Sequence, residues 1–125
     1  MKTKRFKTVV VLHCNHPQEL DMAVRQACRR LQAAGCLLLN QSVLLKGIND
    51  VSTILATLSQ RLFEYGVLPY YLHLLDPVQG AQHFDLSLVH ALSIYHDLQR
   101  QLSGYLVPKL VREEAGMPYK TVLST

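Results

Sequence analysis

The chain has 125 residues, of which 49% are hydrophobic and 18% are charged, values that indicate one globular domain. Its apolar runs are far shorter than the ~20 residues that a membrane-spanning helix needs, which excludes a membrane protein. The net charge of +4 could indicate a nucleic-acid-binding protein, but the densest basic run is confined to Lys2–Lys7 and the other basic residues are mixed with acids. We therefore expect neither nucleic acid nor membrane as a partner.

The three cysteines predict reduced thiols. Cys14, Cys28 and Cys36 are odd in number and have no metal-ligand spacing such as CxxC. Residues Met1–Lys7 are charged, and the apolar stretch Thr8–Leu12 is too short for the core of a signal peptide. These features are typical of a cytoplasmic protein with buried free cysteines.

The first half of the chain predicts a strand, a helix and a second strand. Thr8–Leu12 is apolar and largely β-branched, as a buried strand should be. Pro17 opens a helix whose apolar residues recur at three- or four-residue spacing, and Gly35 ends it. Leu37–Leu39 and its continuation Val43–Leu45 give the second strand and its trailing loop.

The second half repeats this alternation and closes with a polar tail. Its predicted elements are, in order, a helix capped by Asn49 or Asp50 and ended by Gly66, the strand Val67–Leu75, a helix ended by Gly104, the strand Tyr105–Val111 and the tail 112–125. Strands joined by helical crossovers predict right-handed βαβ units and a parallel sheet. One α/β domain over residues 1–125 is expected, either as a small doubly wound domain or as part of a β/α barrel.

Polar or ionisable residues follow each predicted strand, whereas the opposite strand ends carry few. In parallel α/β folds, ligands bind at the carboxyl ends of the strands. The residues at these ends are His13, Asn15 and His16, then Asn40 and Gln41, then His73 and Asp76, and finally Glu113, Glu114 and Lys120. This asymmetry predicts a functional site at the carboxyl edge of the sheet.

Taken singly, these residues also have structural interpretations. Asp76 before Pro77 is suited to a turn, Gln41 to a hydrogen bond with the backbone, and Lys120 to a solvated tail. His13 and His16 beside Cys14 lack a fourth ligand, so a loop role or a ligand-facing role is favoured over a metal site. The sequence contains neither a glycine-rich phosphate loop nor a nucleophile elbow.

Four longer segments are similar to the lysine 2,3-aminomutase family, in that family's order and spacing. They are NHPQEL (Asn15–Leu20), NQSVLLKGIND (Asn40–Asp50), PYYLHLLDPVQGAQHF (Pro69–Phe84) and SGYLVPKLV (Ser103–Val111). The resemblance extends from Phe6 to Leu123. His73, where the lysine-catabolic members carry tyrosine, resembles the branch that makes β-lysine for the modification of translation elongation factor P.

The resemblance implies a radical enzyme that converts L-lysine to β-lysine by a 1,2-amino shift. The reaction uses S-adenosylmethionine, a [4Fe–4S] cluster and pyridoxal phosphate. The implied fold is the C-terminal part of a partial (β/α)6 radical-SAM barrel, followed by a tail (112–125) with the pyridoxal phosphate lysine. The family's CxxxCxxC cluster motif has no match in this sequence. We therefore expect a C-terminal fragment that is inactive alone and has no metal ligands of its own.

The resemblance also assigns roles to individual residues. Lys120 matches the lysine that holds pyridoxal phosphate, and His73 replaces a tyrosine near its ring. Asp76 matches a carboxylate that binds the distal ammonium of L-lysine, and Glu113 falls where a second aspartate is found. Two further residues, Gln41 and His16, lie on strand exits that face S-adenosylmethionine in the family.

Two further expectations complete the sequence-based account. A half barrel would expose strand edges, which predicts self-association of the chain. The alternative to a portion of an aminomutase is a free-standing α/β module with a binding or scaffold role and no catalysis.

Overall fold

The computed structural model describes residues 7–75, 86–112 and 121–123. Within them the strands are β1 (Val9–Leu12), β2 (Leu37–Leu44), β3 (Val67–Leu74), β4 (Lys109–Arg112) and β5 (Thr121–Val122). The helices are α1 (Met22–Ala33), α2 (Ser52–Glu64) and α3 (Leu88–Gln101), and short 3-10 turns occupy Pro17–Glu19 and Gly104–Leu106. No helix in this part of the chain is long and apolar enough to cross a membrane.

The strands form one sheet in the order β1-β2-β3-β4-β5. The first four are parallel, and β5 pairs antiparallel with β4. The predicted α/β fold with a parallel sheet is therefore confirmed. Each strand lies beside the one that precedes it in the chain, without the reversal of strand order that defines a doubly wound sheet.

All three helices pack against one face of the sheet, which we call the helix face. Its buried residues form two clusters, one centred on Leu38 beside α1 and α2, the other on Leu44 and Leu72 beside α2 and α3. Leu38 and Leu44 are an even number of residues apart on β2, so they point to the same side. Each Å² of apolar area removed from water stabilises the fold by about 25 cal/mol. Because the two buried clusters lie on the helix face, most of this stabilisation is found there.

The opposite side of the sheet, the open face, is only partly covered within the described residues. Five large apolar side chains on it are between 37% and 47% exposed: Val9, Val11, Leu37, Leu68 and Tyr70. Four of them lie in the amino-terminal halves of their strands. In the carboxyl-terminal halves, the half-buried Gln41, Tyr71 and His73 lie on this face together with Val43 and the fully buried Val111, which are in register with His73. The open face thus gains polar and aromatic groups toward the carboxyl edge.

A β-bulge in β3 determines which side chains reach the open face. Asn40 pairs with Pro69 but Gln41 pairs with Tyr71, so Tyr70 is an extra residue in β3. One inserted residue reverses the alternation of side chains beyond it. Tyr70 and Tyr71 consequently share the open face, with ring centroids 4.5 Å apart.

Two of the predicted helix starts are wrong. Pro17 opens only a 3-10 turn, and α1 begins at Met22 because the Asp21 carboxylate accepts a hydrogen bond from the Val24 amide at 2.9 Å. The N-cap of α2 is Val51, which makes no side-chain cap, rather than Asn49 or Asp50. The predicted ends at Gly35 and Gly66 are confirmed by their positive φ angles of 91° and 79°.

Three other boundaries also differ from the predictions. β2 continues through Asn40 and Gln41 to Leu44, because the buried side-chain amide of Asn40 forms hydrogen bonds with the Cys14 backbone. β4 starts at Lys109 rather than Tyr105, since Gly104–Leu106 forms a 3-10 turn and Pro108 has no amide to donate to a ladder. The tail contains β5, where only a polar extension was expected.

Candidate functional site

The carboxyl edge of the sheet brings the exits of the four parallel strands to one side of the molecule. Because parallel strands run in the same direction, their last residues Leu12, Leu44, Leu74 and Arg112 share this edge. The described part of the edge divides into a hydrogen-bonded loop after β1 and a polar pair on β2 and β3.

The loop after β1 is held to β2 by buried side chains. Asn40, 1% exposed, accepts from the Cys14 amide at 2.9 Å and donates to the Cys14 carbonyl at 3.1 Å. The Ser42 hydroxyl donates to the same carbonyl at 2.8 Å. Asn40 therefore has a structural role, although it was a candidate for the site.

A second amide pair continues this attachment. Asn15 Oδ1 accepts from the Val43 amide at 2.9 Å. The fully buried Asn49 donates to the carbonyls of Asn15 and Val43, both at 2.8 Å, and accepts from the Leu45 amide at 2.7 Å. Sequence reasoning assigned Asn49 to a helix cap and missed this role. The only sequence signal for this structural role is that Asn49 is a polar residue in a turn next to a largely apolar strand.

His16 is fixed by the 3-10 turn that follows it. Its Nδ1 accepts from the Gln18 amide at 3.1 Å, and Glu19 Oε1 accepts from the His16 amide at 3.0 Å and the Asn15 amide at 2.6 Å. This reciprocal arrangement is a capping box. Since Nδ1 is an acceptor, the ring proton of a neutral His16 is on Nε2. Nε2 is therefore the ring nitrogen that could donate to a ligand.

Gln41 and His73 lie together on the open face. The Gln41 Oε1 and the His73 Nε2 are 3.1 Å apart, and both residues are half-buried. The Tyr71 ring contacts the imidazole edge-on, with centroids 5.6 Å apart. The structure thus brings together two of the predicted site residues, while His16 makes no hydrogen bond with either of them in the described part of the chain.

Asp76, Glu113 and Lys120 lie outside the described residues. Leu75, the residue before Asp76, follows the carboxyl end of β3, and Arg112, the residue before Glu113, ends β4. Thr121, the residue after Lys120, pairs with Arg112. Leu75, Arg112 and Thr121, which adjoin the three predicted residues in sequence, are therefore at the carboxyl edge.

The described cysteines do not fit an iron–sulfur cluster. Cys14, Cys28 and Cys36 are unpaired by disulfides and pack around α1. Burial, then the Glu19 carboxylate, raises the pKa of Cys14 to about 11, and burial raises the pKa of Cys28 as well. Cluster ligation requires thiolates, which these surroundings disfavour. Residues 7–75, 86–112 and 121–123 contain no group of three or more His, Cys, Asp or Glu that could hold a metal ion.

Comparison with known proteins shows a clear relationship. No protein-family model matches the chain. It is 58% identical over 118 residues to an L-lysine 2,3-aminomutase of Haemophilus influenzae, covering 94% of this chain and 35% of that protein. An L-lysine 2,3-aminomutase of Escherichia coli is 53% identical over 118 residues (94% and 34%), and a glutamate 2,3-aminomutase of Clostridioides difficile is 36% identical over 109 residues (86% and 26%). The chain spans about a third of the length of these relatives.

Proposed function

Because this chain is a homologue of the lysine 2,3-aminomutase family over about a third of its members' length, we propose that it is the C-terminal portion of an L-lysine 2,3-aminomutase. The whole protein would be an isomerase that converts L-lysine to β-lysine. The observation that carries the proposal is the identity of 58% and 53% to two L-lysine 2,3-aminomutases.

The fold supports a place in the wall of a partial (β/α)6 barrel. In a β/α barrel, successive strands are neighbours, the helices cover the outside and the other face of the sheet is turned inward. The sequential order of β1 to β4 and the single helix face have this arrangement. The polar and aromatic side chains of the open face, Gln41, Tyr71 and His73, lie in the carboxyl-terminal halves of their strands, toward the edge where barrel enzymes bind their ligands.

Pyridoxal phosphate would supply the electronic stabilisation that an amino shift requires. Lys120 would hold this cofactor through its amine, and His73 would lie near its ring. Asp76 and Glu113 would pair with the distal ammonium of L-lysine, because a buried ammonium without a partner is costly to desolvate. The position of Leu75, Arg112 and Thr121 at one edge supports bringing these groups together.

Gln41 and His16 would contact S-adenosylmethionine. Each has a polar side chain fixed by hydrogen bonds at the carboxyl half of the fold, and such pre-orientation favours binding. The described cysteines do not fit the [4Fe–4S] cluster, so this chain alone would form no β-lysine. We also propose that the parent enzyme is cytoplasmic, because free cysteines are typical of that compartment. On the basis of His73, we propose that its product serves the modification of elongation factor P.

A chimeric enzyme tests the proposal. This chain would replace the homologous third of the Haemophilus influenzae L-lysine 2,3-aminomutase, with which it shares 58% identity. We expect the chimera to form β-lysine from L-lysine, and Lys120→Ala in the chimera to lower the rate at least ~100-fold, since the cofactor loses its anchor. Lys46→Ala, at an exposed lysine in the turn after β2, is the matched control and should keep the rate within about twofold.

A chimera that folds and loads its cofactors but makes no β-lysine would contradict the proposal. That result would favour a non-catalytic module related to the enzyme. Formation of β-lysine from the 125-residue chain alone would contradict the expected inactivity of the isolated chain.

A further inference from the structure

On β1 to β4, the described part of the open face carries one lysine and no carboxylate. The lysine is Lys109, which is in register with Tyr71, while the next residue, Leu110, is fully buried in the cluster on the helix face. The alternation of side chains along a strand therefore places Lys109 on the open face. The described carboxylates lie in turns and helices instead: Glu19, Asp21, Asp50, Glu64 and Asp97.

The Lys109 ammonium lies over an aromatic ring. Its Nζ is 5.6 Å from the centroid of the Tyr70 ring, a cation–π contact. Tyr70 precedes Tyr71 in β3, so this contact directs the ammonium toward the amino-terminal half of the face and away from the carboxyl edge. Lys109 is exposed and makes no ion pair within the described ranges, so water solvates most of its charge.

The amino-terminal half of the open face is an apolar surface that is incompletely buried. Its members are between 37% and 47% exposed: Val9, Val11, Leu37, Leu68 and Tyr70. Val9 is in register with Leu37, and Leu39 with Leu68, so the surface is continuous across β1, β2 and β3. A continuous apolar surface of this kind marks an interaction site.

A cover for this surface also has to satisfy the Lys109 ammonium. Excluding water from an unpaired ammonium is costly, and one aromatic ring offsets only part of that cost. A second copy placed face to face would bring another Lys109 rather than an acid, and like charges repel. A segment that carries a carboxylate among apolar side chains meets both requirements.

We propose that a protein segment covers the open face and places a carboxylate side chain against the Lys109 ammonium. The carboxylate is inferred from the charge of the face. The source of the segment rests on the proposed function, in which the opposite wall of the parent barrel closes over this face. Lys109 thereby forms an ionic contact between the two walls, apart from the candidate site at the carboxyl edge.

Acylation of lysines with succinimidyl acetate, mapped by mass spectrometry, tests the cover. In the isolated chain Lys109 and Lys46 are both exposed and should react at similar rates. In the chimera with the Haemophilus influenzae enzyme, Lys109 should react at least ~10-fold more slowly, because the cover shields the amine and an ion pair keeps it protonated. The rate at Lys46 should not change. Protection of Lys109 in the isolated chain that grows with its concentration would assign the cover to a second copy and overturn the proposal.

The thermal midpoint of chimera variants tests the carboxylate. Lys109→Met would leave the partner carboxylate buried without its counter-charge, so the midpoint should fall by ~3 °C or more. Lys109→Arg should keep most of the wild-type value, and Lys46→Met is the matched control. In the isolated chain, where the face is open, Lys109→Met should not lower the midpoint. A chimera that Lys109→Met leaves equally stable or makes more stable would show an apolar cover and overturn the carboxylate.

Hexanoate, an apolar chain that ends in a carboxylate, probes the same surface in the 125-residue chain without a chimera. The side-chain NMR resonances of Tyr70 should shift with hexanoate but not with hexylammonium, its cationic counterpart. Lys109→Met should weaken the hexanoate response at least ~5-fold, since the partner charge is lost. Equal responses to the two probes, or an unchanged response in Lys109→Met, would overturn the charge preference of the face.

Failure of this proposal can be told apart from failure of the proposed function. A chimera that forms β-lysine while Lys109 reacts as fast as Lys46 would overturn the cover and leave the proposed function standing. A chimera with a protected Lys109 and no β-lysine would sustain the contact between the walls and count against the proposed function.

Discussion

Asn40 shows how a polar residue in an apolar strand can serve the fold rather than the chemistry. Its side chain satisfies both the amide and the carbonyl of Cys14 in a buried environment. Asn40→Ala would leave the Cys14 amide without its partner, and a buried unsatisfied donor costs about 1–3 kcal/mol. We expect the free energy of unfolding in urea to fall by this amount.

The exposed Gln60 on α2 provides the control for this measurement. Gln60→Ala should change the unfolding free energy by no more than about 0.5 kcal/mol. An Asn40→Ala variant as stable as Gln60→Ala would show that the loop after β1 does not depend on this amide.

The raised pKa of Cys14 makes a prediction about alkaline stability. Burial and Glu19 raise the pKa from its ordinary value of 9.0 to about 11 in the folded chain. Between these values the unfolded chain has released the proton and the folded chain has not, so the free energy of unfolding should fall as the pH rises from 9 to 11. The stabilisation is fully present below pH 9.

Urea unfolding on both sides of the unfolded value checks this pH dependence. Cys14→Ala should show a smaller loss of stability between mildly and strongly alkaline pH than the wild type. Some loss should remain in Cys14→Ala, because burial also raises the pKa of Cys28 and Tyr95. An identical loss in the wild type and Cys14→Ala would contradict the account.

At the scale of elements, α1 and α2 differ in how they begin. Asp21 caps α1 by accepting from the Val24 amide, whereas Val51 at the start of α2 is 48% exposed and offers no cap. Asp21→Ala should therefore destabilise the chain by about 1 kcal/mol. Val51→Asp should stabilise it by about 0.5–1 kcal/mol, because the backbone at this position is already extended as in capped helices.

Thermal unfolding of the two variants provides a direct comparison. The midpoint should move down for Asp21→Ala and up for Val51→Asp. Ser87→Ala is a second reference, since Ser87 caps α3 through the His90 amide and should behave like Asp21. A lower midpoint for Val51→Asp would show that α2 starts elsewhere in solution.

The elements also show what the sequence could predict. Apolar runs and the glycines Gly35 and Gly66 were enough for the parallel β/α order, because these signals are local. The predicted helix end at Gly104 is wrong, since α3 ends at Gln101 and Gly104 opens a 3-10 turn. The bulge at Tyr70 depends on pairing with β2 across the sheet, and β5 depends on pairing with β4, so neither has a local signature. The sequence predicts a break in β2 at Asn40 and Gln41, because amide side chains are typical of loops and their buried partners are not evident from the sequence.

The same distinction applies to the candidate site. The carboxyl edge could be predicted from fold rules alone, but Gln41 lies within β2, three residues before its end, and meets His73 on the open face. This contact could not be predicted, because it depends on how the two strands are aligned. The structural roles of Asn40 and Asn49 could not be predicted either. Polar residues at strand ends can bind a ligand or hold a loop, and the sequence pattern is the same in both cases.

At the scale of the whole molecule, we propose that the chain associates through its exposed sheet. β4 is covered by β5, so the sheet edges within the described residues are β1 and β5 rather than β1 and β4. Uncovered edges and partly exposed apolar residues such as Val11 favour pairing with another copy. We expect a dimer or larger species at micromolar concentration.

Sedimentation velocity checks this expectation. Val11→Lys places a charge on the open face of the edge strand and should shift the chain toward monomer. Thr57→Lys, at an exposed position on α2, adds the same charge on the helical side and should leave the association unchanged. A monomeric wild-type chain at micromolar concentration would contradict self-association.

The central claim is that this chain carries the pyridoxal phosphate lysine of an aminomutase. The most direct measurement is incubation of the chain with pyridoxal phosphate, reduction with borohydride and mapping of the modified peptides by mass spectrometry. The account predicts that the label is on Lys120 and is lost in Lys120→Ala, while Lys109→Ala retains it. A label spread evenly over the exposed lysines, or an unchanged yield in Lys120→Ala, would contradict the claim.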